Sequence, residues 1–550
     1  MNKKQRSYNY LLTKFLKKNS LWFILVSLLL VLSGYFRMKG AVYIQKIADN
    51  ISGGIVESVT LLIVLSVLSQ LISYATKWLV AVVCMFLKEK LSLQIRIKMF
   101  EHLNRIPFRN YEQYQIGDVQ SVIRNDSQKA AEIIYILGSR ISSHFFMLFF
   151  SVGYMVMVNA PIAVTVIVIS IIFGIINQKI LKQMKIYEYE GRKSLGNVTN
   201  IAVNCYENID IVKTYGAQSY FLNFFIKEKD TYNSNILSSA KVDTGRLILY
   251  NVVNNGSLYG CAILLSYMAI SGKMTIGEVL VFITLMSQVL TPIEVIFRWM
   301  ANVVTSAAAW ERVYKVLDIS EEAQYYYIKT DYDIKTLRIE NVSYSYDNKN
   351  NIISDLDMEF EVGRSYAIVG ESGSGKTTLL KILLGIYTSR TMKIFINGKE
   401  IEEKDFYGLS AFVPSDAQLF NTTIYENIVM GDNSITREYC IEWAEKLGIS
   451  GWLTSLSAGL DTIIQEGAKN LSGGQGQIIN ILRAVVSNRE IIIMDEPFSS
   501  LDREKEGLLI NVINNLKRYK ILIVTSHRVS SIVNIDRIFY ISRDELVPAS

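Results

Sequence analysis

Ser365-Tyr366-Ala367-Ile368-Val369, followed by Gly370-Glu371-Ser372-Gly373-Ser374-Gly375-Lys376-Thr377-Thr378, decides how the second half of this chain folds. The first five residues are an apolar, strand-like run, and a helical pattern from Leu379 to Gly385 follows the loop. Between them stands the full G-x-x-x-x-G-K-[ST] spacing. In that context glycines let backbone N–H groups turn inward around the β- and γ-phosphates of a nucleotide, Lys376 adds a point charge, and the Thr377 hydroxyl can hold Mg²⁺. All nine loop residues are therefore candidate contacts to a nucleoside triphosphate. A Gly/Ser-rich surface turn is the alternative, disfavoured by the strand before the loop and the helix after it.

Two further strand ends carry compatible chemistry. Ile491 to Met494 is a short continuous apolar run, as a buried parallel strand should be, and it ends in Asp495-Glu496. Ligands of open α/β sheets sit beyond the carboxyl ends of the strands, so Asp495 can reach the Mg²⁺ shell beside Thr377 while Glu496 orients or deprotonates an attacking water. A solvent-exposed acidic turn is the competing reading. Lys520 to Thr525 runs into Ser526-His527, where a histidine can contact the γ-phosphate or the water. Leu471-Ser472-Gly473-Gly474-Gln475 precedes a helical stretch from Gln477 to Val486, and such an opening offers backbone N–H groups to an anion.

The first half has the composition of a membrane domain. Apolar stretches at about 21–36, 59–87, 133–158, 162–176, 247–270 and 279–304 predict six helical spans. Lys3, Lys4, Arg6, Lys14, Lys17 and Lys18 precede the first, and segments 88–130 and 178–246 are also basic. The N-terminus is therefore expected on the cytoplasmic side, and an even span count returns the nucleotide half there. Turns are expected at Asn159-Ala160-Pro161 and Ser271-Gly272-Lys273, with the tips of long cytoplasmic projections at 110–117 and 205–216. The basic flanks account for the net charge of +6, so no nucleic-acid partner follows from it. The first apolar run lacks a small-residue cleavage site and is read as a retained span. Four scattered cysteines have neither metal-ligand nor disulfide-framework spacing. The boundaries read as a 1–20 N-terminal segment, a 21–317 membrane domain, a charged 318–331 linker and a 332–550 nucleotide domain. From Lys335 onward strands and helices alternate as in a parallel α/β sheet.

Taken together, Lys376 in its loop, Leu471 to Gln475, Asp495-Glu496, Ser499-Ser500-Leu501-Asp502 just after, and His527 resemble the nucleotide-binding domain of the ATP-binding cassette (ABC) family. The six-span half resembles the membrane domain of ABC exporters, so nearly the whole chain looks like a half-transporter. The resemblance implies ATP and Mg²⁺ as cofactors and Tyr346 stacking on adenine, with Tyr344 as its rival and core packing as the other reading. It implies Glu496 and His527 as catalytic residues and Ser499 to Asp502 as the loop following the catalytic strand. It further implies two cassettes head to tail, Ser472 to Gln475 of one closing on ATP held by Lys376 of the other. The partner is then a second copy of the chain or a paired half-transporter.

Two positions depart from the family pattern. Ser415 follows Phe412-Val413-Pro414 where a glutamine is usual, which points to a water-relayed Mg²⁺ contact from Ser415 or a role for Gln418. Gly476 stands where a basic residue commonly follows the signature.

Ionisable residues within spans are costly and need partners or water, which singles out Lys77, Arg140, His144, Glu294 and Arg298. Glu294 and Arg298 are four apart and can simply pair. The sharper reading puts these residues on the wall of a cargo cavity, with Arg37 and Lys39 at its outer mouth. The expected activity is ATP-driven export of a peptide-like or amphipathic molecule across the cytoplasmic membrane of a bacterium. A lipid flippase and a metal-chelate importer share the architecture. An ATP-gated pore or receptor is the reading from another class, and the hydrolytic residues argue against it.

Overall fold

The computed structural model describes residues 3–106, 116–321, 333–345, 352–371, 373–387, 389, 391–402, 406, 408–526, 535–541 and 546–548. They form two compact units, one from Met1–Asn104 and Gln115–Ile319, the other centred on Ser320–Ser550.

The first unit is helical because lipid offers no hydrogen-bond partners, so each apolar stretch satisfies its own backbone. Against six expected spans, four described stretches are long and apolar enough to cross a membrane: Ser20–Ser52, Val59–Leu103, Val119–Glu207 and Gln218–Ile270. A shorter apolar stretch, Ile276–Val289, opens the Ile276–Leu317 helix. The 89-residue stretch is not one straight rod. Asn159 leaves the helical region at φ −154° and ψ 97°, and its Oδ1 accepts from the Ile162 N–H at 3.2 Å, restarting the helix beside Pro161. The turn expected at 159–161 lies there. Past it, the helix runs through Asn177 to Glu207, followed by the short Ile209–Thr214 helix and Gln218–Ile270. The expected tip at 205–216 thus contains two helix ends, whereas most of the 110–117 tip lies outside the described residues.

In the most apolar windows of the first three stretches only 22% of residues are buried, and 6% in the fourth. The greasy faces point outward, as lipid requires. Where the helices meet, small and hydroxyl residues join the apolar packing. Ser33 and Ser73 exchange hydrogen bonds to each other's carbonyls at 3.1 and 3.0 Å, tying Ser20–Ser52 to Val59–Leu103. Two π-helical turns, Val122–Asp126 and Ile136–Ile141, interrupt the helix entering the third stretch. At the first, buried Asp126 receives Nε and Nη2 of Arg312, both at 2.7 Å.

The second unit carries two sheets rather than the one expected. β1 (Thr336–Tyr344), β2 (Ile353–Glu361), β4 (Lys393–Ile396) and β5 (Lys399–Ile401) form an antiparallel sheet ordered β2-β1-β4-β5. The alternating burial along β2 and β4 fits a half-covered antiparallel sheet. The other sheet runs β10-β9-β3-β8-β7-β6, with β3 (Ser365–Gly370), β6 (Ser410–Val413), β7 (Ile491–Asp495), β8 (Ile521–Ser526) and β9 (Arg537–Ile541) parallel. Only β10 (Leu546–Pro548) is antiparallel in it. The apolar runs of β3, β7 and β8 are buried throughout, which is why they lack alternation. β3, β8 and β7 are neighbours, so their carboxyl ends meet at one edge.

Candidate nucleotide site

At that edge the β3 loop turns into the Lys376–Leu383 helix, with Gly375 at its N-cap in the left-handed region at φ 96°. Only glycine holds that conformation without strain, and it aims the first-turn N–H groups back into the loop. Lys376 is buried, and its Nζ donates to the carbonyls of Gly370 at 2.6 Å and Glu371 at 2.8 Å. Burial pushes its pKa down, opposed by the negative charges of Glu496 and Asp495. Those three side chains therefore share one electrostatic neighbourhood. Ser374 is also buried, and its Oγ has no hydrogen-bond partner among the described residues. A loop with a folded-back cation and an unspent hydroxyl fits a polyphosphate. Thr377 is exposed and Thr378 buried, whereas Ser372 lies outside the described residues.

Asp495 closes β7 and pairs in register with Thr525 of β8. The Thr525 hydroxyl donates to Asp495 Oδ1 at 2.6 Å and accepts from the Glu496 N–H at 3.1 Å. One buried hydroxyl thus holds the carboxylate and the backbone of the residue after it. Sequence reading missed Thr525. Its only signal was a polar residue at the end of an apolar strand. Glu496 sits at φ 46°, a conformation costing a non-glycine residue about 1–2 kcal/mol, and strain of this kind concentrates at functional sites. β8 ends at Ser526, and His527 lies outside the described residues, as does Tyr346. The rival Tyr344 is buried and stacks on Tyr387 at 4.9 Å and 7°, so its ring belongs to the core.

The signature opens the Gly473–Val486 helix with a capping box: Ser472 Oγ accepts from the Gln475 N–H at 3.2 Å, and Gln475 Oε1 accepts from the Ser472 N–H at 2.8 Å. The opening is thus less bare than expected, and the anion-facing donors narrow to those of Gly473 and Gly474. Leu471 packs on the adjoining hydrophobic core. After β7, the Ser499 N–H reaches the Glu496 carbonyl at 3.1 Å, with Ser500 exposed and Leu501 against the core. Asp502 caps the Arg503–Leu516 helix, accepting from Lys505 N at 2.9 Å and Nζ at 2.6 Å, which holds its carboxyl below the usual range.

The two departures meet on one surface. Gln477 Nε2 donates to the Pro414 carbonyl at 3.0 Å, Asn480 Nδ2 to that of Asp416 at 3.4 Å, and Arg483 Nη1 to that of Gln418 at 3.2 Å. Alternate carbonyls of the Ser415 loop are thus held by every third residue of the signature helix. Gly476 makes the approach possible: a Cβ there would stand 2.7 Å from Ala417 Cβ. Any larger residue, including the usual basic one, would push the loop away.

In the membrane unit Lys77, Arg140, His144, Arg298, Val295, Trp299 and Asn302 line a cavity of about 380 Å³. Four of the five ionisable residues singled out from the sequence are thereby brought together. The fifth, Glu294, has a side chain outside the described residues. The Arg140 guanidinium stacks on Tyr135 at 5.2 Å and Trp299 at 5.4 Å, and His144 Nδ1 lies 2.6 Å from the Arg140 carbonyl oxygen.

The family model for the ABC transporter matches residues 353–499, and that for the ABC transporter transmembrane region matches 23–293. An export ATP-binding/permease protein of Rickettsia typhi is 27% identical across 98% of this chain and 95% of its own. A protein of Desulfotalea psychrophila named as an ATP-dependent lipid A-core flippase is 26% identical across 82% of this chain and 80% of its own. A Bacillus subtilis multidrug export ATP-binding/permease protein is 23% identical across 83% and 80%. The fold matches a bacterial Atm1-family ABC exporter with ATP bound at a TM-score of 0.80, with 21% identity and coverage of 97% of this chain and 95% of that one. With a helical membrane domain and a nucleotide-binding α/β domain in one polypeptide, this chain belongs to the ATP-binding cassette transporters, as an ATP-hydrolysing half-transporter of the exporter type.

Proposed function

We propose that two copies of this chain export an amphipathic or peptide-like molecule across the bacterial cytoplasmic membrane by alternating access, through six spans per copy. The observation that carries this reading is the gathering of Lys376, Asp495 and Glu496 at one sheet edge, with Asp495 and Glu496 fixed through Thr525. Lys376 and the loop N–H groups bind the triphosphate, together with Ser374. Glu496 takes the proton of the attacking water, and His527 contacts the γ-phosphate. Thr377 and Asp495 would hold Mg²⁺, and Ser415 would reach it through water. Such an ion, when bound, would supply charge neutralisation at the phosphates. Tyr346 stacks on adenine. Each site is completed by Ser472 to Gln475 of the other cassette, so ATP closes the pair and hydrolysis releases it.

A flippase is the second reading, favoured by the cations lining the cavity. Glu496→Gln tests the main one: in nanodiscs ATP binding and cassette pairing should persist while turnover falls roughly 10²–10⁴-fold. Undiminished ATPase activity would remove Glu496 from the catalytic role. Uphill accumulation of labelled cargo in vesicles separates a pump from a gated pore.

A further inference from the structure

We infer that a groove beside Asn19, on the outside of the helical unit, seats one anionic phospholipid, its head on Lys17 and Lys18 and an acyl chain along the apolar wall. The inference goes beyond the exporter reading and needs only that this unit lies in a bilayer.

The groove holds about 500 Å³ and begins at Leu16, in the last turn of the Lys3–Lys18 helix. It continues along one face of the Ser20–Ser52 helix, where Ser20, Ile24, Ser27, Leu28 and Val31 follow one another three or four residues apart. The two serines are short and their neighbours are branched, so the face has a trough between apolar ridges. Ser27 Oγ donates to the Phe23 carbonyl at 2.9 Å, which turns its hydroxyl back onto its own helix and leaves that part of the floor apolar. A chain of methylenes suits such a trough.

The charge at its mouth is fixed by the bend between the two helices. Asn19 is buried at φ −112° and ψ 22°, its Nδ2 donating to the Phe15 carbonyl at 2.8 Å and its Oδ1 accepting from Lys90 Nζ at 2.9 Å. Phe15 is buried in the same cluster as Leu87 and Trp310, which anchors the last turn of the Lys3–Lys18 helix. Lys17 and Lys18 therefore stand exposed where the groove begins, on a helix that contains no acidic residue. On the next helix Glu89 pairs with Lys88 at 2.9 Å, and Lys90 adds another positive charge. This complementarity selects the occupant. A neutral chain gains nothing from the lysines, a free anion gains nothing from the trough, and a zwitterionic head brings a cation that the lysines repel. An anionic phospholipid satisfies both parts.

The test uses the full chain in nanodiscs of phosphatidylcholine mixed with phosphatidylglycerol, one lipid or the other carrying bromine on its acyl chains. Phe23 also lines the groove, and Phe23→Trp places a reporter there, read as the difference from the unsubstituted protein. Brominated phosphatidylglycerol should quench this signal at mole fractions roughly tenfold below brominated phosphatidylcholine. Ile263→Trp, at an exposed position of the Gln218–Ile270 helix, should show no such preference. Lys17→Gln with Lys18→Gln, both at exposed positions, should bring the two lipids within about twofold of each other, while Lys17→Arg with Lys18→Arg should keep the preference. Ser27→Leu fills the trough and should weaken quenching by both lipids about threefold. Equal quenching by the two lipids in the groove, the same preference at Ile263→Trp, or a preference unmoved by the paired glutamines overturns the assignment. Displacement of the brominated lipid by glycerol 3-phosphate also overturns it, because the head alone would then be the ligand. Neither ATPase activity nor transport enters the readout, so failure of the exporter reading would leave this result standing.

Discussion

Thr525 shows how much a single hydroxyl can organise. It has no place in the loop, signature or carboxylate pair, yet it bonds the Asp495 carboxylate and the Glu496 backbone at once. Thr525→Val keeps the shape and removes both bonds. ATPase kcat should fall about tenfold, with ATP affinity less affected, because the change loosens the residues that meet the water more than those that grip the phosphates. Steady-state kinetics read as kcat against KM check this. The left-handed Glu496 is part of the same arrangement, since the Thr525 oxygen anchors its N–H in a conformation it would otherwise leave.

Between elements, Gly476 and Ala417 govern how closely the signature helix and the Ser415 loop pack. Gly476→Ala should cost about 1–3 kcal/mol of nucleotide-domain stability through overpacking, and Ala417→Gly in that background should restore much of it. Thermal unfolding of the four variants in a double-mutant cycle measures the coupling, and simple additivity would show that the contact is not shared. In the membrane unit the bidentate pair of Arg312 and Asp126 joins the helix Ile276–Leu317 to the first π-turn. Asp126→Asn leaves a guanidinium without its charge partner and should destabilise this region by about 1–3 kcal/mol, since Arg312 is half-exposed and partly hydrated. Faster amide exchange in residues 116–135 is the expected sign.

For the whole molecule, the proposed half-sites imply complementation between chains. On that proposal Lys376→Ala disables one half of the composite site and Ser472→Glu the other, so either variant alone should be inactive as a homodimer. An equal mixture forms mixed dimers in half of its pairs, each with one intact site, and should recover roughly a quarter of wild-type ATPase activity. No recovery on mixing would argue against sites shared between copies.

The nucleotide half was legible because its chemistry is local: Gly370 to Thr378, Asp495-Glu496 and Leu471 to Gln475 are short runs whose backbone needs fix both spacing and residue type. The break at Asn159 was equally readable, as a polar residue and a proline between two apolar runs. The antiparallel sheet of β1, β2, β4 and β5 was not, because element order does not say which strands pair. Thr525 and the clamp from Gln477, Asn480 and Arg483 were hidden for a related reason: 29 residues separate Thr525 from Glu496, and 63 separate Gln477 from Pro414. The sequence alone determined that this is an ATP-driven membrane protein, since phosphate loops and apolar spans are written in contiguous residues. Only the tertiary structure decided that Lys77, Arg140, His144 and Arg298 face one cavity, because three helical stretches far apart in the chain must pack before their charges meet.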